Sequence, residues 1–178
     1  MTADKADWRA WAAERRRDLV IDHAAVAQNL RRFVERRAGW VLTYRPMEGE
    51  VDLDALLADH RCAVTRTLPG GRFTVHPADG PTERHRFGYL QPVAGAPEVP
   101  LADIAVALVP GVLFDVWGTR LGHGFGHYDR LLPRLPARTP RVGVAPAALV
   151  VAERLPSEGH DVPMTHLATE LGVDSARS

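Results

Sequence analysis

The sequence predicts an α/β fold: a single domain built on an open, mostly parallel sheet flanked by helices, in a Rossmann-like three-layer arrangement. Two observations lead to this prediction. Residues 104–114 (IAVALVPGVLF) are continuously apolar, as in a central strand covered on both faces, and strand-like segments are interspersed with segments of helical periodicity. A length of 178 residues suits one substantial core, so we predict one domain over residues 1–178.

The N-terminal part of the chain has helical periodicity. Over residues 2–37, apolar side chains such as Val26 and Leu30 recur at helical spacing, and a break is predicted near 18–22. Thr2 is a candidate N-cap for the first helix.

A strand, a short helix and a hairpin are predicted next. Residues 40–44 (WVLTY) form an apolar run that ends at a turn signal, which predicts a buried strand. A short helix is expected over 52–58, with Asp52 as its N-cap. Residues 61–68 and 72–76 flank a Pro-Gly-Gly turn and therefore predict a hairpin.

The second half of the chain contains the predicted central strand. Residues 77–100 are rich in proline and glycine and are predicted to be mostly loop over the surface of the sheet. After the strand at 104–114 and a glycine segment, we expect a helix over 128–135, a strand over 141–146 and a further apolar stretch at 148–151.

Composition argues against several classes of protein. The chain has 22 basic and 22 acidic residues, so its overall charge indicates neither a nucleic acid nor an anionic membrane as partner. Charges throughout the N-terminus argue against a signal peptide, and no apolar run approaches the roughly 18 residues of a membrane span. We therefore expect a cytoplasmic protein. The one cysteine, Cys62, is expected to be a buried, unreactive thiol.

The segment RLGHGFGHYDR (120–130) is the strongest candidate for a functional loop. Three glycines at alternate positions let the backbone approach a partner closely, at the place where α/β proteins bind ligands. Backbone N–H groups there can bind phosphate, Arg120 and Arg130 can neutralise it, and Asp129 can hold magnesium. The alternative is a tight turn that binds nothing.

The glycine spacing matches neither the Rossmann GxGxxG nor the Walker GxxxxGK[ST] pattern. His123 and His127 lie four residues apart, as in a metal pair on a helix. The intervening glycines disfavour a helix and no third ligand is evident, so zinc is not predicted.

Four blocks of the sequence resemble the 5-formyltetrahydrofolate cyclo-ligase (methenyltetrahydrofolate synthetase) family. PGVLFDVWGTRLGHGFGHYDR (110–130) is similar to the family pattern in which a PGxAFD stretch leads into RLGxGxGxYDR. Lys5 and Arg9 resemble the K-x-x-x-R of the family's first helix. YRPMEGEVD (44–52) resembles its substrate loop, and LPSEGHDVPM (155–164), with the Thr-Glu pair beyond it, resembles its C-terminal segment. The blocks occur in family order and span nearly the whole chain.

The resemblance implies an ATP- and Mg²⁺-dependent ligase that converts 5-formyltetrahydrofolate to 5,10-methenyltetrahydrofolate and releases ADP and phosphate. In the family, the formyl oxygen attacks the γ-phosphate of ATP, N10 closes onto the activated carbon, and phosphate leaves. Such phosphoryl transfer needs positioning and charge neutralisation more than a covalent nucleophile. The implied partner is a reduced folate, without nucleic acid or membrane, and a monomer or weak homodimer is expected.

The resemblance also assigns residues, each by its match to a family motif. Arg120 is the implied catalytic residue, and Asp129 and Asp161 match the magnesium-associated carboxylates. The residues implied to bind ATP are Lys5, Arg9, Arg120, Leu121, Gly122, His123, Gly124, Phe125, Gly126, His127 and Tyr128. Those implied to bind the folate are Arg45, Glu50, His123, Phe125 and His127. A carboxylate at Glu50 can accept paired N–H donors from the pterin end of the folate.

The chain departs from the family pattern at positions implied to face the substrate. His123 and His127 stand where tyrosine or another aromatic residue is usual, and Phe125 fills a position that is commonly small or polar. Gln91 precedes proline where many members have Glu-Pro. Two alternatives therefore stay open. One is a divergent relative that uses ATP on another formyl- or carboxyl-bearing substrate, and the other is a non-catalytic nucleotide- or folate-binding module.

Overall fold

The computed structural model describes residues 3–57, 60–86 and 88–178. Its helices are α1 (Lys5–Arg16), α2 (His23–Val34), α3 (Asp54–Leu57) and α4 (His127–Leu131). Its strands are β1 (Trp40–Leu42), β2 (Cys62–Leu68), β3 (Arg72–Pro77), β4 (Thr82–Arg84), β5 (Leu90–Pro92), β6 (Ile104–Pro110), β7 (Leu113–Asp115), β8 (Arg120–Leu121), β9 (Arg141–Val144), β10 (Val150–Val151), β11 (His166–Thr169) and β12 (Gly172–Ser175). No helix within these residues combines the length and the apolarity that a membrane crossing requires.

A seven-stranded sheet in the order β12-β11-β9-β6-β1-β2-β3 forms the centre of the protein. The strands from β11 to β2 are parallel, and the antiparallel strands β12 and β3 form the two edges. Strand β6 lies in the middle with a parallel partner on each side. The predicted α/β fold, with a mostly parallel sheet flanked by helices, is confirmed.

Side chains of β6 alternate between two apolar cores. Val106 and Leu108 pack with the apolar side of α2, whereas Ala107 and Val109 pack on the other face with α1, α4 and a small sheet, β10-β7-β8. All four side chains are fully buried, because successive strand residues point to opposite faces. Burial on both faces explains why this strand is apolar throughout.

The N-terminal helices show the predicted break, with residues 17–22 between α1 and α2. The carboxylates of Asp4 and Asp22 accept hydrogen bonds from N–H groups in the first turns of α1 and α2 and so cap these helices. The predicted cap, Thr2, lies outside the described residues. Asp52 accepts a hydrogen bond of 2.8 Å from the first backbone N–H of α3, in agreement with its predicted role.

The segment 104–114, predicted to be one strand, forms two strands in different sheets. Strand β6 ends at Pro110, and β7 begins at Leu113 and pairs with β8 and β10. Gly111 permits the close turn between them, since a Cβ there would lie 2.6 Å from the ring of Phe114. The prediction was wrong in extent because both halves are equally apolar and buried, so hydropathy does not mark the change of sheet.

Two further parts of the chain differ from the prediction. Residues 77–100, predicted to be mostly loop, contain the hairpin β4-β5, and every residue of β4 is exposed, which removes the apolar alternation that marks a strand. The helix predicted over 128–135 is α4 followed by a 3₁₀ turn over 132–134. Pro133 lacks the N–H that a longer α-helix would need there.

The thiol of Cys62 is buried in β2, as predicted. Burial raises its pKa to about 11, although Arg45 opposes the shift. Because the thiolate is the reactive form, we expect iodoacetamide to modify the native protein about 100-fold more slowly at mildly alkaline pH than the urea-unfolded protein. Mass spectrometry of timed samples measures both rates, and equal rates would contradict the buried setting.

Candidate active site

A cavity of about 540 Å³ lies at the carboxyl ends of β1 and β6. Its walls come from the start of α1, the loop after β1, the glycine segment and the loop around residues 158–161. Every residue singled out for ATP, folate or magnesium lines this one cavity: Lys5, Arg9, Arg45, Glu50, Arg120, Leu121, Gly122, His123, Gly124, Phe125, Gly126, His127, Tyr128, Asp129 and Asp161. The fold therefore gathers side chains from all four sequence blocks.

The structure explains why glycine stands at each of the three positions in this loop. Gly124 and Gly126 have φ angles of 94° and 62°, in the left-handed region that glycine adopts most easily. A Cβ on Gly122 would lie 2.6 Å from a guanidinium nitrogen of Arg120. The carbonyl of Gly122 also accepts a hydrogen bond of 3.0 Å from Nε of Arg9, which ties the loop to α1.

The guanidinium of Arg120 is held in place by two partners. Its Nη2 donates to both carboxylate oxygens of Asp129, at 3.1 and 3.2 Å, and it lies 5.3 Å from the centre of the Tyr128 ring. The Arg120 side chain is only 8% exposed. Burial, followed by the charge of Glu50, raises the pKa of Tyr128, so its hydroxyl stays neutral. Arg120 thus presents a preorganised positive charge to the cavity.

Lys5 pairs with two carboxylates from the far end of the chain. Its Nζ lies 2.8 Å from Glu158 and 2.9 Å from Asp161. Burial lowers the pKa of Lys5, but the hydrogen bonds to these carboxylates outweigh it and the net shift is upward. The ammonium is therefore charged, and it fastens the 158–161 loop onto α1.

Asp115 connects the loops that carry Arg120 and Asp161. It is fully buried, and its Oδ1 accepts hydrogen bonds from the backbone of Trp117 and Thr119 at 3.0 and 2.8 Å. Its Oδ2 accepts one of 3.0 Å from the backbone of Leu155. This one carboxylate therefore fixes the position of the backbone just before Arg120 and at the start of the LPSEGHDVPM block.

The two predicted magnesium carboxylates line the same cavity, and their oxygens are the donor type that magnesium prefers. Asp129 is paired with Arg120, and Oδ2 of Asp161 accepts from Lys5 and from the backbone N–H of Glu158. In the described part of the chain, no three His, Cys, Asp or Glu side chains converge as a metal-binding group. The carboxylates of Asp129 and Asp161 fit a magnesium ion whose other ligands would come from phosphate and water.

Glu50 is a nearly buried carboxylate with both oxygens engaged. Oε2 accepts a hydrogen bond of 2.9 Å from the backbone of Met47, and Oε1 lies 3.4 Å from Nε2 of His123. Tyr44 packs nearby and donates its hydroxyl to the backbone of Val51. Burial, followed by the charge of Glu50, raises the Tyr44 pKa well above its usual value.

Three flat side chains pack together on one side of the cavity. The His127 ring packs edge-on against Phe73, with centres 5.0 Å apart, and stacks on Phe125 at 5.7 Å. Burial lowers the His127 pKa, and the charges of Arg130 and His85 lower it further. His127 is therefore neutral near pH 7 and serves as a flat, uncharged surface. Phe125 is 56% exposed and forms part of the cavity lining.

Arg45 lines the cavity but already has structural partners. It donates 2.7 Å to the backbone of Ala78 and lies 3.3 Å from the carboxylate of Asp54. It therefore ties the loop after β1 to the end of β3 and to α3.

Gln91 was grouped with the positions that depart from the family pattern and were expected to face the substrate. The structure places it outside the cavity lining, so this expectation was wrong. Its amide accepts a hydrogen bond from the backbone of Thr67 and donates one to Glu83, both at 3.2 Å. Glu83 in turn pairs with Arg66 at 2.6 Å. A carboxylate at position 91 could not donate to Glu83, so the glutamine links the hairpin β4-β5 to β2.

Sequence reasoning missed several residues of the lining, among them Met47, Phe73, Tyr89 and Glu158. The available signals were the sequence blocks themselves, because Met47 lies in YRPMEGEVD and Glu158 in LPSEGHDVPM. Tyr89 comes from the stretch predicted to be loop, and its hydroxyl lies 3.0 Å from that of Thr67 on β2.

Fold and cavity together define an α/β protein with a ligand site at the carboxyl ends of its parallel strands, lined by a glycine loop and by paired charges. A sequence model described as the 5-formyltetrahydrofolate cyclo-ligase family matches residues 5–170. The chain belongs to this family.

Individual relatives agree with this membership. An NMR structure of a 5,10-methenyltetrahydrofolate synthetase from Aquifex aeolicus has 31% identity and a TM-score of 0.81, over 98% of this chain and 93% of that one. A 5,10-methenyltetrahydrofolate synthetase from Mycoplasma pneumoniae has 19% identity and a TM-score of 0.75, over 94% of this chain and 99% of that one, and supports the fold alone.

Curated sequences show the same likeness. A 5-formyltetrahydrofolate cyclo-ligase from Haemophilus influenzae is 29% identical over 161 residues, 79% of this chain and 81% of that protein. One from Mycolicibacterium smegmatis is 37% identical over 84 residues, which is 47% of this chain and less than half, 43%, of that protein.

Proposed function

We propose that the protein is an ATP- and Mg²⁺-dependent 5-formyltetrahydrofolate cyclo-ligase that forms 5,10-methenyltetrahydrofolate and releases ADP and phosphate. The observation that supports this most directly is the convergence of residues from four separate sequence blocks on one cavity. Within the proposal, residues 1–178 act as one domain, in the cytoplasm, as a monomer or weak homodimer with a reduced folate as partner.

The proposed reaction is a phosphoryl transfer followed by ring closure. The formyl oxygen takes the γ-phosphoryl group of ATP, N10 closes on the activated carbon and loses its proton, and phosphate leaves with the former formyl oxygen. Lys5 and Arg9 from α1 neutralise the phosphates, and Arg120 faces the phosphoryl group that moves. Magnesium, held by Asp129 and Asp161, would supply further neutralisation of phosphate charge.

The substrate side of the proposal uses shape and hydrogen bonding. Glu50 accepts adjacent N–H donors of the pterin ring, as a carboxylate does in a paired contact. Neutral His127, which stacks on Phe125 and packs edge-on against Phe73, belongs to a group of flat side chains that a ring system can pack against. The histidine substitution therefore keeps the stacking character expected at this position.

A second candidate is a divergent relative that acts on another formyl- or carboxyl-bearing molecule. The exposed ring of Phe125 favours it, because that side chain occupies space in the cavity at a position where the family pattern is commonly small or polar. A third candidate is a non-catalytic nucleotide- or folate-binding module. It would bind its ligand in the same cavity without converting it.

The test is a turnover assay. Purified protein is mixed with Mg-ATP and 5-formyltetrahydrofolate, and the absorbance of 5,10-methenyltetrahydrofolate is followed. We expect product formation that requires enzyme and ATP and that stops when a chelator removes magnesium. ADP and phosphate should form in equal amounts with the product.

Parallel thermal-shift measurements separate the candidates. Stabilisation by ATP without stabilisation by any reduced folate, and without product, would favour the divergent relative. Stabilisation by both ligands without product would favour the binding module.

A further inference from the structure

Arg130 ends the RLGHGFGHYDR segment, but it is not among the described residues that line the cavity. The sequence suggested that this arginine neutralises a bound phosphate. In the structure its Nη2 donates a hydrogen bond of 3.0 Å to the carbonyl of Phe125, and its Nε donates one of 3.2 Å to the carbonyl of Gly71. One side chain therefore joins the glycine loop to the Pro-Gly-Gly turn between β2 and β3.

The guanidinium of Arg130 lies against a glycine at each end of this link. A Cβ on Gly71 would lie 3.1 Å from its Nη2, and a Cβ on Gly126 would lie 3.1 Å from its Nη1. A methyl group at either position would therefore require the guanidinium to shift. Gly71 thus has a reason to be glycine besides its φ angle of 71°.

The other glycine of the turn, Gly70, has no such contact. Its φ angle is 76°, close to that of Gly71. A Cβ on Gly70 would meet nothing within 4 Å in the described part of the chain. The two neighbouring glycines therefore share their backbone conformation and differ in the approach of Arg130.

The turn is a firm support for the loop. Strands β2 and β3 on either side of it pair over six residues each, at the edge of the central sheet. The loop, by contrast, contains glycines that can adopt many backbone conformations. Arg9 binds the carbonyl of Gly122 at its start, and Arg130 binds that of Phe125 near its end. The two arginines therefore hold the loop from opposite ends.

The hydrogen bond to Phe125 also fixes a backbone donor. The C=O of Phe125 and the N–H of Gly126 belong to one planar trans peptide unit and point in opposite directions. When Arg130 holds the carbonyl, the direction of the N–H is set as well. Gly126 lines the cavity, and backbone N–H groups of such loops are donors to phosphate.

We propose that Arg130 is a positioning residue that holds the glycine loop in the conformation in which its backbone binds the phosphates of ATP. The proposal rests on the cyclo-ligase function above and deepens it, because it extends the nucleotide site to a turn outside the cavity lining. Without the link, ATP has to order the loop as it binds, and that ordering lowers the affinity.

Replacing Arg130 with methionine should weaken the binding of Mg-ATP about tenfold, the equivalent of roughly one net hydrogen bond. Calorimetric titration without folate measures the dissociation constant. Arg130→Lys keeps the charge but lacks the fixed fork of donors, so it should recover only part of the affinity. The matched control is Arg134→Met, which removes an arginine that donates 3.4 Å to the carbonyl of Phe73 and should bind as wild type. Equal affinities of Arg130→Met and Arg134→Met, or full recovery by lysine, overturn the inference.

The two glycines of the turn give a test that leaves Arg130 in place. Gly70→Ala and Gly71→Ala introduce the same backbone strain, but only the second meets the guanidinium. We expect Gly71→Ala to weaken Mg-ATP binding about threefold relative to Gly70→Ala. In the Arg130→Met background the two alanine variants should bind equally. Equal binding in the wild-type background, or a difference that persists without Arg130, contradicts the link.

A further measurement needs no nucleotide. NMR relaxation of the backbone amides should show that Gly124 and Gly126 become more mobile in Arg130→Met and stay as in wild type in Arg134→Met. Unchanged mobility in Arg130→Met overturns the positioning role even in an active enzyme. Wild-type protein that neither binds Mg-ATP nor forms product contradicts the proposed function instead, so the two failures are distinguishable.

Discussion

Replacing Arg120 with methionine is expected to lower kcat/KM for cyclo-ligase turnover by about 10²–10³-fold, the usual cost of removing one preorganised donor to developing charge. The guanidinium is nearly buried, bound to Asp129 and packed on Tyr128. Methionine keeps much of the side-chain length but none of the charge. Steady-state kinetics with ATP and folate varied in turn measure the loss, and circular dichroism checks that the variant is folded.

Two further variants show whether the loss in kcat/KM comes from the Arg120 guanidinium. Arg120→Lys keeps the charge without the planar fork that matches phosphate oxygens, so it should fall between wild type and Arg120→Met. Arg138→Met removes an exposed arginine outside the cavity and should behave as wild type. Folded Arg120→Met with the kinetics of Arg138→Met would show that Arg120 does not act on the transferred group.

Replacing Asp115 with alanine is expected to lower the free energy of unfolding by about 3 kcal/mol or more, because three backbone N–H groups lose their acceptor inside the protein. Those groups belong to Trp117, Thr119 and Leu155. The same change loosens the backbone next to Arg120 and before Asp161, so activity should fall as well. Urea unfolding followed by fluorescence measures the stability.

The matched variants for Asp115 separate the acceptor from the charge. Asp115→Asn keeps one acceptor oxygen and should lose roughly half as much stability as the alanine variant. Asp18→Ala removes an exposed carboxylate and should change stability by less than about 0.5 kcal/mol. An Asp115→Ala variant as stable as Asp18→Ala would refute the structural role of this carboxylate.

The parts of the fold that local pattern determines were predictable. The break between α1 and α2 follows from helical spacing and polar residues, and the hairpin β2-β3 follows from its Pro-Gly-Gly turn. The central position of β6 follows from its unbroken apolar character, since Val106 and Ala107 are buried on opposite faces. In these cases the neighbours in the chain supply the physical reason for the structure.

The parts that depend on contacts across the chain were not predictable from pattern. The change of sheet after Pro110 rests on a close approach between Gly111 and the Phe114 ring, which hydropathy does not register. The hairpin β4-β5 is anchored by the Gln91 amide rather than by apolar alternation.

The candidate site shows the same division. Family motifs named Lys5 and Asp161 separately, but only the fold brings them together, 156 positions apart in the chain. The contact between His123 and Glu50 likewise depends on how two loops meet, and no spacing in the sequence encodes it.

The ion pairs of the cavity have a consequence for how a ligand arrives. Apart from its histidines, the lining carries four basic side chains (Lys5, Arg9, Arg45 and Arg120) and four acidic ones (Glu50, Asp129, Glu158 and Asp161). Such a balanced surface produces little long-range field, so an anion gains no strong electrostatic steering as it diffuses inward. Under the proposed function, recognition starts at contact, when phosphate oxygens of ATP replace carboxylates as the partners of Lys5 and Arg120. Binding is then an exchange of partners whose speed is largely insensitive to ionic strength.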